Sequence, residues 1–366
     1  MRERLPDDIL RPLPEPLPLQ ALLPEELVRH VPGVTLAEAR ALVSTVHRDK
    51  DPFVPNPRVR RVARQAVSEV AHVPSLIVAG QARSALDPFQ KLVFRTHDER
   101  LIESVRIPLE RPGRFSVCVS SQVGCALACA FCATGRLGLS RNLETWEIVE
   151  QVRAVRRTLD PKRGERVHGV VFQGMGEPLA NAERVVAAIR VLTDPSAGAI
   201  DARNVTVCTA GLPSGIALLA RELPRVRLGW SIGSAALGKR RSLMPIDGAH
   251  PLEDVFQAGV EHARVTELAP LWAVTLLADV NDGDDDARAL GLLAARFQRE
   301  TGRRPRISVI PYNRIADDTD DPFRRTSDPA EARFRETVHA LGTFTHKRYS
   351  GGSDVAAACG QLAARL

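Results

Sequence analysis

The sequence predicts an α/β protein in which a small helical domain precedes a partial, partly open (β/α) barrel. From residue 91 onward, short apolar segments alternate with amphipathic segments of helix length. Strands separated by helices in this way form right-handed βαβ units and a parallel sheet. Between residues 22 and 90 the apolar positions recur with helical spacing, which favours helices. In barrels of this type the functional side chains gather at the carboxyl ends of the strands.

Three regions follow from these patterns. Residues 1–21 are rich in proline, which denies regular helix and sheet hydrogen bonding, so an extended or disordered leader is expected. Residues 22–90 are predicted to form a helical accessory domain, in which Thr35 and Glu38 form a capping box at the start of the second helix. Residues 91–366 are predicted to form the barrel.

A run of arginines marks the third predicted helix of the accessory domain. Contact with RNA phosphates and an ordinary solvated helix face both explain such a run. The net charge of +6 and the pI near 9.3 permit a polyanionic partner without identifying one. The two interpretations therefore stay open for these residues, which are Arg58, Arg60, Arg61 and Arg64.

Composition bounds the class of protein. The apolar share of 44% and the charged share of 26% are those of an ordinary globular protein. No run of about 18 apolar residues appears, so no membrane span is expected. The first residues lack the apolar centre of a secretory signal, which predicts a cytoplasmic location. In that reducing compartment the six cysteines are expected to be metal ligands or catalytic thiols rather than disulfides.

The barrel strands are predicted from apolar segments bounded by turn residues. Alternating segments within residues 91–121 lead into a cysteine-rich loop. Six further strands follow this loop, and a helical segment separates each from the next. These predicted strands are VHGVVFQG, NVTVCTA, VRLGWSIG, LWAVTLLADV, ISVIPYN and FTHKRYSG.

The loop after the first barrel strand contains the most specific motif, Cys125, Cys129 and Cys132 in C-x3-C-x2-C spacing. Cys thiolates hold iron–sulfur clusters, and a cubane closed by the protein alone would need four of them. With three, one iron stays open to another ligand. This arrangement is typical of radical S-adenosylmethionine (SAM) enzymes, in which the amino and carboxylate groups of SAM occupy the open iron. A structural zinc loop is the alternative, but zinc usually takes paired C-x2-C motifs and four closed ligands.

Other candidate site residues follow later strands. The segment Gly174-Met175-Gly176-Glu177-Pro178 permits close backbone approach to a ligand, and Glu177 can accept hydrogen bonds from an ammonium group or a ribose. A tight turn before a helix would explain the same segment. Three polar or thiol side chains, for which loop capping is the alternative, lie at or near other strand ends. They are Cys208, Ser231 and Asn313.

Several segments together resemble one family, the radical-SAM adenine-C2 RNA methyltransferases (RlmN/Cfr family). The segments are CVSSQVGCALACAFCATG, GMGEPLAN, the V-T-x-C-T-x-G strand end, IPYN and the terminal AACGQLA. The resemblance is nearly continuous from about Glu103 to Leu366 and looser over residues 22–102. It implies a radical-SAM barrel with a [4Fe–4S] cluster and SAM as cofactors. It also implies methylation of carbon-2 of an adenosine in 23S rRNA and, in many members, in tRNA.

The resemblance also implies roles for individual residues. Cys125, Cys129 and Cys132 would hold the cluster. Cys359 would be methylated by one SAM, and a second SAM, cleaved reductively, would give a 5′-deoxyadenosyl radical that takes hydrogen from the S-methyl group. The carbon radical would add to the adenine, and Cys118 would remove the carbon-2 proton while a Cys118–Cys359 disulfide forms. Glu103 aligns with a proton acceptor. The SAM-site positions would be Gly176, Glu177, Cys208, Ser231, Ile232, Gly233 and Asn313.

Departures from the family pattern keep alternatives open. Where members usually read S-L-H-A-P-N-D, this chain has Ser-Ile-Gly-Ser-Ala-Ala-Leu at residues 231–237, and Cys208 stands where serine is usual. A divergent paralogue could modify another RNA or carbon-8 of adenine, and a non-catalytic Fe–S RNA-binding factor is a third hypothesis. The retained pair Cys118 and Cys359 argues against the third. An electron donor such as flavodoxin and a monomeric state are also expected.

Overall fold

The computed structural model describes residues 16–315 and 321–363. The chain divides into two compact units. The first comprises residues up to Ser75 together with Arg190–Ala199, and the second comprises Leu76–Ile189 and the chain from Ile200 onward. No helix in the described ranges is long and apolar enough to cross a membrane.

The first unit is built mainly from three helices, α1 (Pro24–His30), α2 (Leu36–His47) and α3 (Arg61–Val70). The capping box predicted for α2 is confirmed, because Glu38 N donates to Thr35 Oγ1 (3.3 Å) and Thr35 N donates to Glu38 Oε2 (3.0 Å). The helices bury a shared apolar core, whose fully buried members include Leu27, Leu42, Val43, Val46 and Val67.

The expected leader differs from the structure over its last residues. Residues 1–15 lie outside the described residues. Leu17–Pro18 (β1) forms a short parallel bridge with Ala71–His72 (β2), and Leu19–Ala21 forms a 3-10 turn. Leu17 and Leu19 are buried, and His47 Nε2 lies 3.1 Å from the carbonyl oxygen of Gln20. Burial of two leucines supplies the free energy that orders residues 17–21, which the proline count alone did not indicate.

The second unit contains one ten-stranded mixed sheet with the order β14-β13-β12-β11-β10-β9-β6-β5-β4-β3. Strands β6 and β9 to β14 are parallel, and β3 to β6 are antiparallel. The predicted α/β class and partial barrel are confirmed. The strands of this sheet are β3 Ile77–Arg83, β4 Gln90–Arg95, β5 Leu101–Pro108, β6 Arg114–Val119, β9 Arg166–Phe172, β10 Val205–Thr209, β11 Arg227–Ser231, β12 Leu271–Leu276, β13 Arg306–Pro311 and β14 Thr345–Lys347.

A two-stranded hairpin and a series of helices complete the chain. The hairpin pairs β7 (Gln122–Gly124) with β8 (Leu139–Asn142) on either side of the cysteine loop. A helix follows each parallel strand up to β13, as βαβ connections require. The helices are α4 Ala133–Arg136, α5 Thr145–Arg157, α6 Ala182–Thr193, α7 Pro213–Glu222, α8 Lys239–Leu243, α9 Leu252–Thr266, α10 Asp284–Thr301 and α11 Asp328–Ala340.

The boundary expected at residue 90 lies earlier in the structure. Strand β3 was placed by its sequence in the helical accessory domain, yet it pairs antiparallel with β4 at the edge of the large sheet. Most residues of β3 are exposed. The sequence therefore lacks the apolar face that would predict a strand there. Backbone pairing with β4, rather than side-chain burial, places it in the sheet.

The core lies between the sheet and its helices. Trp230 on β11 meets Trp272 on β12 edge to face, with ring centroids 5.4 Å apart. Trp272 meets Phe297 of α10 at the same distance. Such aromatic pairs contribute about 0.5–1.5 kcal/mol beyond their buried area. They fix the middle of β11 and β12, and thereby the positions of the polar residues at the strand ends.

Candidate functional site

The cysteine loop is held at both ends by backbone hydrogen bonds. Cys125 N donates to Gly138 O (2.9 Å), and Ala130 N donates to Leu243 O (2.9 Å). Gly124 has a positive φ of 77°, and a side chain there would collide with the Gly138 carbonyl. The hairpin β7–β8 and helix α8 therefore fix the loop that presents the three thiols.

Burial controls the chemistry of these thiols. It raises the pKa of Cys125 to about 11 and that of Cys129 to about 12, and it also raises the pKa of Cys132. Neighbouring thiols add to the increase, since two thiolates at this spacing would repel each other. Without a bound cation the three groups are neutral thiols at pH 7, and a metal centre would release their protons as it binds.

The polar residues predicted at strand ends follow β9, β10 and β11. Gly176 has a φ of 96°, and a side chain there would lie 2.5 Å from Cβ of Gln122. The glycine therefore permits a backbone path that other residues cannot follow. Cys208 and Ser231 stand at the carboxyl ends of β10 and β11.

Glu177 is fixed by three hydrogen bonds. Its Oε1 accepts from Leu179 N (3.0 Å), its Oε2 accepts from Ala210 N (2.8 Å), and its own N–H donates to Gln122 Oε1 (2.8 Å). Burial raises the pKa of this carboxyl group, and the two accepted bonds oppose that increase. The carboxyl group is thus oriented between β9 and β10 before any ligand binds.

Two neighbouring cavities share a wall that includes Cys359. The first, of about 150 Å³, is lined by the three loop cysteines, Gly176, Glu177, Cys208, Ser231, Gly233 and Cys359, among others. The second, of about 80 Å³, is lined by Cys118, Arg348, Phe89 and again by Cys359. Cys132, Gln173, Gly174 and Gly360 belong to both walls. Cys359 therefore faces the triplet of thiols on one side and Cys118 on the other.

Cys118 lies on β6 and is 8% exposed. Burial raises its pKa to about 12, with a further increase from Cys359 and an opposing effect of the Arg348 guanidinium. All six cysteines are free thiols in this structure. Cys118 is accordingly a neutral thiol at pH 7 and accepts no proton until its environment changes.

Three predicted site residues are not part of either cavity wall within the described residues. Ile232 is fully buried behind the first cavity. Asn313 Nδ2 donates to Cys359 O (3.2 Å) and to Ser350 Oγ (2.7 Å). Glu103 is fully buried, and its Oε1 lies 3.1 Å from Lys91 Nζ. In this structure Asn313 therefore holds the segment that carries Cys359 rather than facing the cavity.

Two cations that sequence reasoning passed over support the site, the buried Arg240 and the half-buried Arg348. Arg240, 2% exposed, donates to Ala210 O (2.6 Å) and Ile232 O (3.2 Å), and so ties the ends of β10 and β11 together. Arg348 donates to Gln173 Oε1 (2.7 Å) at the second cavity. The segment RRSLMPID, which agrees with the family pattern, contained the signal for Arg240.

The divergent loop at residues 231–237 has its own supports. Asn281 Nδ2 donates to Gly233 O (2.8 Å), and Ser234 Oγ donates to Asp286 Oδ1 (3.1 Å). Gly233 has a φ of 73°, and a side chain there would meet Met244 Sδ at 2.6 Å. Leu237 is fully exposed. The loop thus keeps a defined backbone beside the first cavity although its usual histidine and Asn-Asp pair are absent.

Similarity to known proteins agrees with this geometry. A probable RNA methyltransferase of Sorangium cellulosum is 57% identical over 358 residues, which cover 93% of this chain and 91% of that protein. A probable dual-specificity RNA methyltransferase RlmN 2 of Protochlamydia amoebophila is 37% identical and covers 82% of this chain and 80% of that protein. The chain belongs to the RlmN family. No family model matches the chain.

A solved structure extends the similarity to the fold of this RlmN-family chain. The crystal structure of a radical SAM methyltransferase from Sphaerobacter thermophilus matches with a TM-score of 0.83 and 32% identity. The match covers 95% of this chain and 99% of that one. The family resemblance inferred from CVSSQVGCALACAFCATG and the other motifs is therefore confirmed. The chain is a radical SAM methyltransferase of the RlmN type.

Proposed function

We propose that this protein methylates carbon-2 of an adenosine in RNA, with 23S rRNA and tRNA as the candidate substrates and with a methyl group carried on Cys359. One observation carries the proposal: Cys359 lines both the cavity with the three loop thiols and the cavity with Cys118. A carrier thiol has to meet the methyl donor on one side and the RNA base on the other. The relatives named RNA methyltransferases support RNA as the substrate.

The donor set fits a [4Fe–4S] cluster. Three buried or half-buried thiols on one loop leave one iron of a cubane without a protein ligand. Within the described ranges, no group of three His, Cys, Asp or Glu side chains is arranged to hold a single metal ion. The zinc alternative gains no support from the side-chain positions, whereas a cubane spreads its thiolates farther apart than one ion does. Cys125, Cys129 and Cys132 would hold the cluster, which supplies the electron for reductive cleavage of SAM.

The first cavity would hold SAM beside that cluster. Glu177, already oriented by Leu179 N and Ala210 N, would accept hydrogen bonds from the ammonium group or the ribose of SAM. The backbone at Gly176 and Gly233 would let the ligand approach closely, because neither position tolerates a side chain. Cys208 and Ser231 line the same wall. Asn313 would contact SAM only after releasing the carbonyl of Cys359.

The second cavity would receive the adenine base. Cys359 would gain a methyl group from the SAM sulfonium and lose its thiol proton. In the second stage a 5′-deoxyadenosyl radical derived from SAM would take one hydrogen atom from the S-methyl group, and the carbon left on the Cys359 sulfur would bond to carbon-2 of the base. The adduct would lose one electron to an iron–sulfur acceptor and its carbon-2 proton to Cys118, once the Cys118 thiol has been deprotonated. Covalent capture by cysteine divides one difficult step into easier ones. The Cys118 sulfur would then bond to the Cys359 sulfur as the Cys359 sulfur–carbon bond breaks, and the released carbon would keep the electron pair and take up the proton to become the methyl group. The cavity walls would exclude water.

Glu103 is a weaker assignment as proton acceptor. Its carboxylate is paired with Lys91 and accepts a hydrogen bond from Ala363 N (3.1 Å), so it holds the end of the chain. It would act on the base only after the terminal segment moves away. The electron donor such as flavodoxin, the monomeric state, the cytoplasmic location and RNA binding by the helical unit remain predictions.

The proposal is tested with SAM that carries a deuterated methyl group. Anaerobically reconstituted full-length protein would be incubated with RNA from a strain lacking the gene, followed by nucleoside mass spectrometry. Labelled 2-methyladenosine is the expected product, and the Cys359→Ala variant should form none. Labelled 8-methyladenosine would favour the paralogue suggested by the altered 231–237 loop. Protein with a full cluster that labels no adenosine in rRNA or tRNA would contradict the proposal.

A further inference from the structure

The segment that carries Cys359, residues 349–363 (the carrier segment), has almost no regular structure. Its one element is a 3-10 turn at Ser353–Val355. Hydrogen bonds hold its far end: Gly360 O accepts from Ala133 N (2.8 Å), and Leu362 O accepts from Thr134 Oγ1 (2.6 Å). These bonds tie the end of the carrier segment to the cysteine loop. A second attachment is needed to stop the rest from pivoting about it.

That second attachment is the turn between β3 and β4, residues 84–89. Asp87 Oδ2 accepts from the Tyr349 hydroxyl (2.9 Å) and from Gly352 N (3.0 Å). In the opposite direction, Ala85 N donates to Asp354 Oδ2 (2.8 Å). Two carboxylates, one from each partner, therefore join the turn to the carrier segment across more than 260 residues of sequence.

The turn is built to present Asp87 as a carboxylate. Its Oδ1 accepts from Phe89 N (3.1 Å), and Ser84 Oγ accepts from Asp87 N (3.2 Å). Burial disfavours ionisation of Asp87, but the hydrogen bonds from Gly352, Phe89 and Tyr349 outweigh burial and lower its pKa. The group is thus charged at neutral pH, and hydrogen bonds to a charged acceptor are the stronger kind.

Two glycines let the backbone of the carrier segment come this close. A side chain at Gly351 would meet Asp87 Oδ2 at 2.6 Å and would also collide with the Phe89 ring. Gly352 has a φ of 72°, a conformation that side chains rarely adopt, and it donates the N–H that Asp87 accepts. The Tyr349 and Phe89 rings pack 6.1 Å apart beside these bonds.

The attachment adjoins the second cavity. Phe89, Tyr349 and Gly351 line the same wall as Cys118 and Cys359. We propose that the β3–β4 turn is a positioning clamp, in which Asp87 and Asp354 hold the carrier segment so that Cys359 faces Cys118. This inference rests on the proposed function, because it concerns the placement of the methyl-carrying thiol. Asp87 touches neither base nor cofactor and is a positioning residue.

The clamp is tested with Asp87→Asn in the full-length reconstituted protein. The asparagine amide keeps the shape of the side chain but carries no charge. Its NH2 group would face a backbone N–H, with which it cannot form a hydrogen bond. Amide hydrogen exchange in residues 349–359 should become about tenfold faster, as expected when a charged hydrogen bond is lost, while exchange in β6 stays unchanged. Tyr349→Phe removes one hydrogen bond to Asp87 and keeps the ring, so it should accelerate amide hydrogen exchange by a smaller factor.

A second readout separates the clamp from general instability. Methyl groups on Cys359 and in RNA would both be counted by mass spectrometry. Asp87→Asn should lower the RNA product formed per methylated Cys359 about tenfold with an unchanged iron content. Glu99→Gln is the matched control, since Glu99 lies on the β4–β5 turn and pairs with Arg95 (3.0 Å); it should match the wild type.

The outcomes distinguish the two claims. The clamp would be overturned if Asp87→Asn and Asp354→Asn both showed the wild-type rate of amide hydrogen exchange and the wild-type amount of RNA product per methylated Cys359. If Asp87→Asn fails to fold, Asp354→Asn and Tyr349→Phe decide the question by the same measurements. Wild-type protein that methylates no RNA would contradict the proposed function, whereas the exchange experiment would still decide whether the clamp exists.

Discussion

Cys118 and Cys359 line one cavity, but different kinds of structure hold them. Cys118 lies within β6, where its backbone pairs with Val105 on β5 and with Val171 on β9. Cys359 lies in an irregular segment that is held by separate hydrogen bonds from Asn313, Ala133 and the β3–β4 turn. The sheet fixes Cys118, whereas a few individual hydrogen bonds fix the segment that contains Cys359. The fold thus provides a stationary partner and an adjustable one.

The largest effect is expected from removing a ligand of the proposed cluster, on which the roles of both Cys359 and Cys118 depend. Cys129→Ala takes away one of three cluster ligands, so iron should fall from about four atoms per chain to almost none. RNA methylation should become undetectable. Iron analysis and visible absorption of anaerobically reconstituted protein provide the measurement. Cys208→Ser is the control, because Cys208 lines the cavity from β10 outside the loop and its replacement should leave iron in place.

The next largest effect is expected at the ion pair of Glu103. This residue contacts both the region of β6 that contains Cys118 and the carrier segment. Its carbonyl accepts from Ser120 Oγ (2.6 Å) beside β6, while its carboxylate accepts from Ala363 N at the end of the carrier segment. Lys91→Met would remove the ammonium group beside this buried carboxylate and should lower the free energy of unfolding by about 3–5 kcal/mol. Denaturant titration measures the loss.

The double variant Lys91→Met/Glu103→Gln sharpens this prediction. Replacing both residues removes the buried carboxylate together with the ammonium group, so the double variant should be more stable than Lys91→Met alone. Additive losses in the two single variants would show that the ion pair contributes no coupling.

Local sequence motifs predict most of the fold and part of the candidate site. The sequence places the C-x3-C-x2-C triplet, Gly176, Glu177 and Ser231 near strand ends, because the apolar pattern of the strands is visible in sequence. Contacts between distant residues were not found. Three features depend on which distant segments become neighbours, and no local pattern encodes that: the pairing of β3, the hydrogen bond from Asn313 to Cys359, and the Glu103–Lys91 pair.

Arg60 shows the same limit in the helical unit. It stands in the basic run that suggested RNA contact, yet its Nε lies 2.8 Å from Glu38 Oε1, and its Nη2 donates to Gly33 O (2.8 Å). The Arg60 guanidinium holds the pKa of the Glu38 carboxyl well below its usual range. The stability from this pair is therefore present at neutral pH and lost as the pH falls below the ordinary Glu range, near 4. Arg60 therefore has a structural role in this unit, whatever its part in RNA binding.

The smallest expected effect concerns the exposed arginines of the same run. Arg58 and Arg61 are exposed beside α3. If they contact phosphates, Arg58→Ala/Arg61→Ala should lower the slope of log affinity against log salt by about one for each lost contact. Filter binding of RNA at several salt concentrations measures it. An unchanged slope would assign both residues to a solvated helix face, and Arg60→Ala should reduce stability instead.

The central claim is that Cys359 carries the methyl carbon and Cys118 resolves its bond to RNA. The Cys118→Ala variant, purified with RNA under conditions that allow turnover, tests this claim most directly. Without the thiol that takes the carbon-2 proton, the reaction should stop after carbon–carbon bond formation. Mass spectrometry should then find a nuclease-resistant RNA adduct on Cys359 through one added carbon. The adduct should be absent from the Cys118→Ala/Cys359→Ala double variant. A Cys118→Ala protein that remains fully active, or that is inactive and free of RNA, would contradict these assignments.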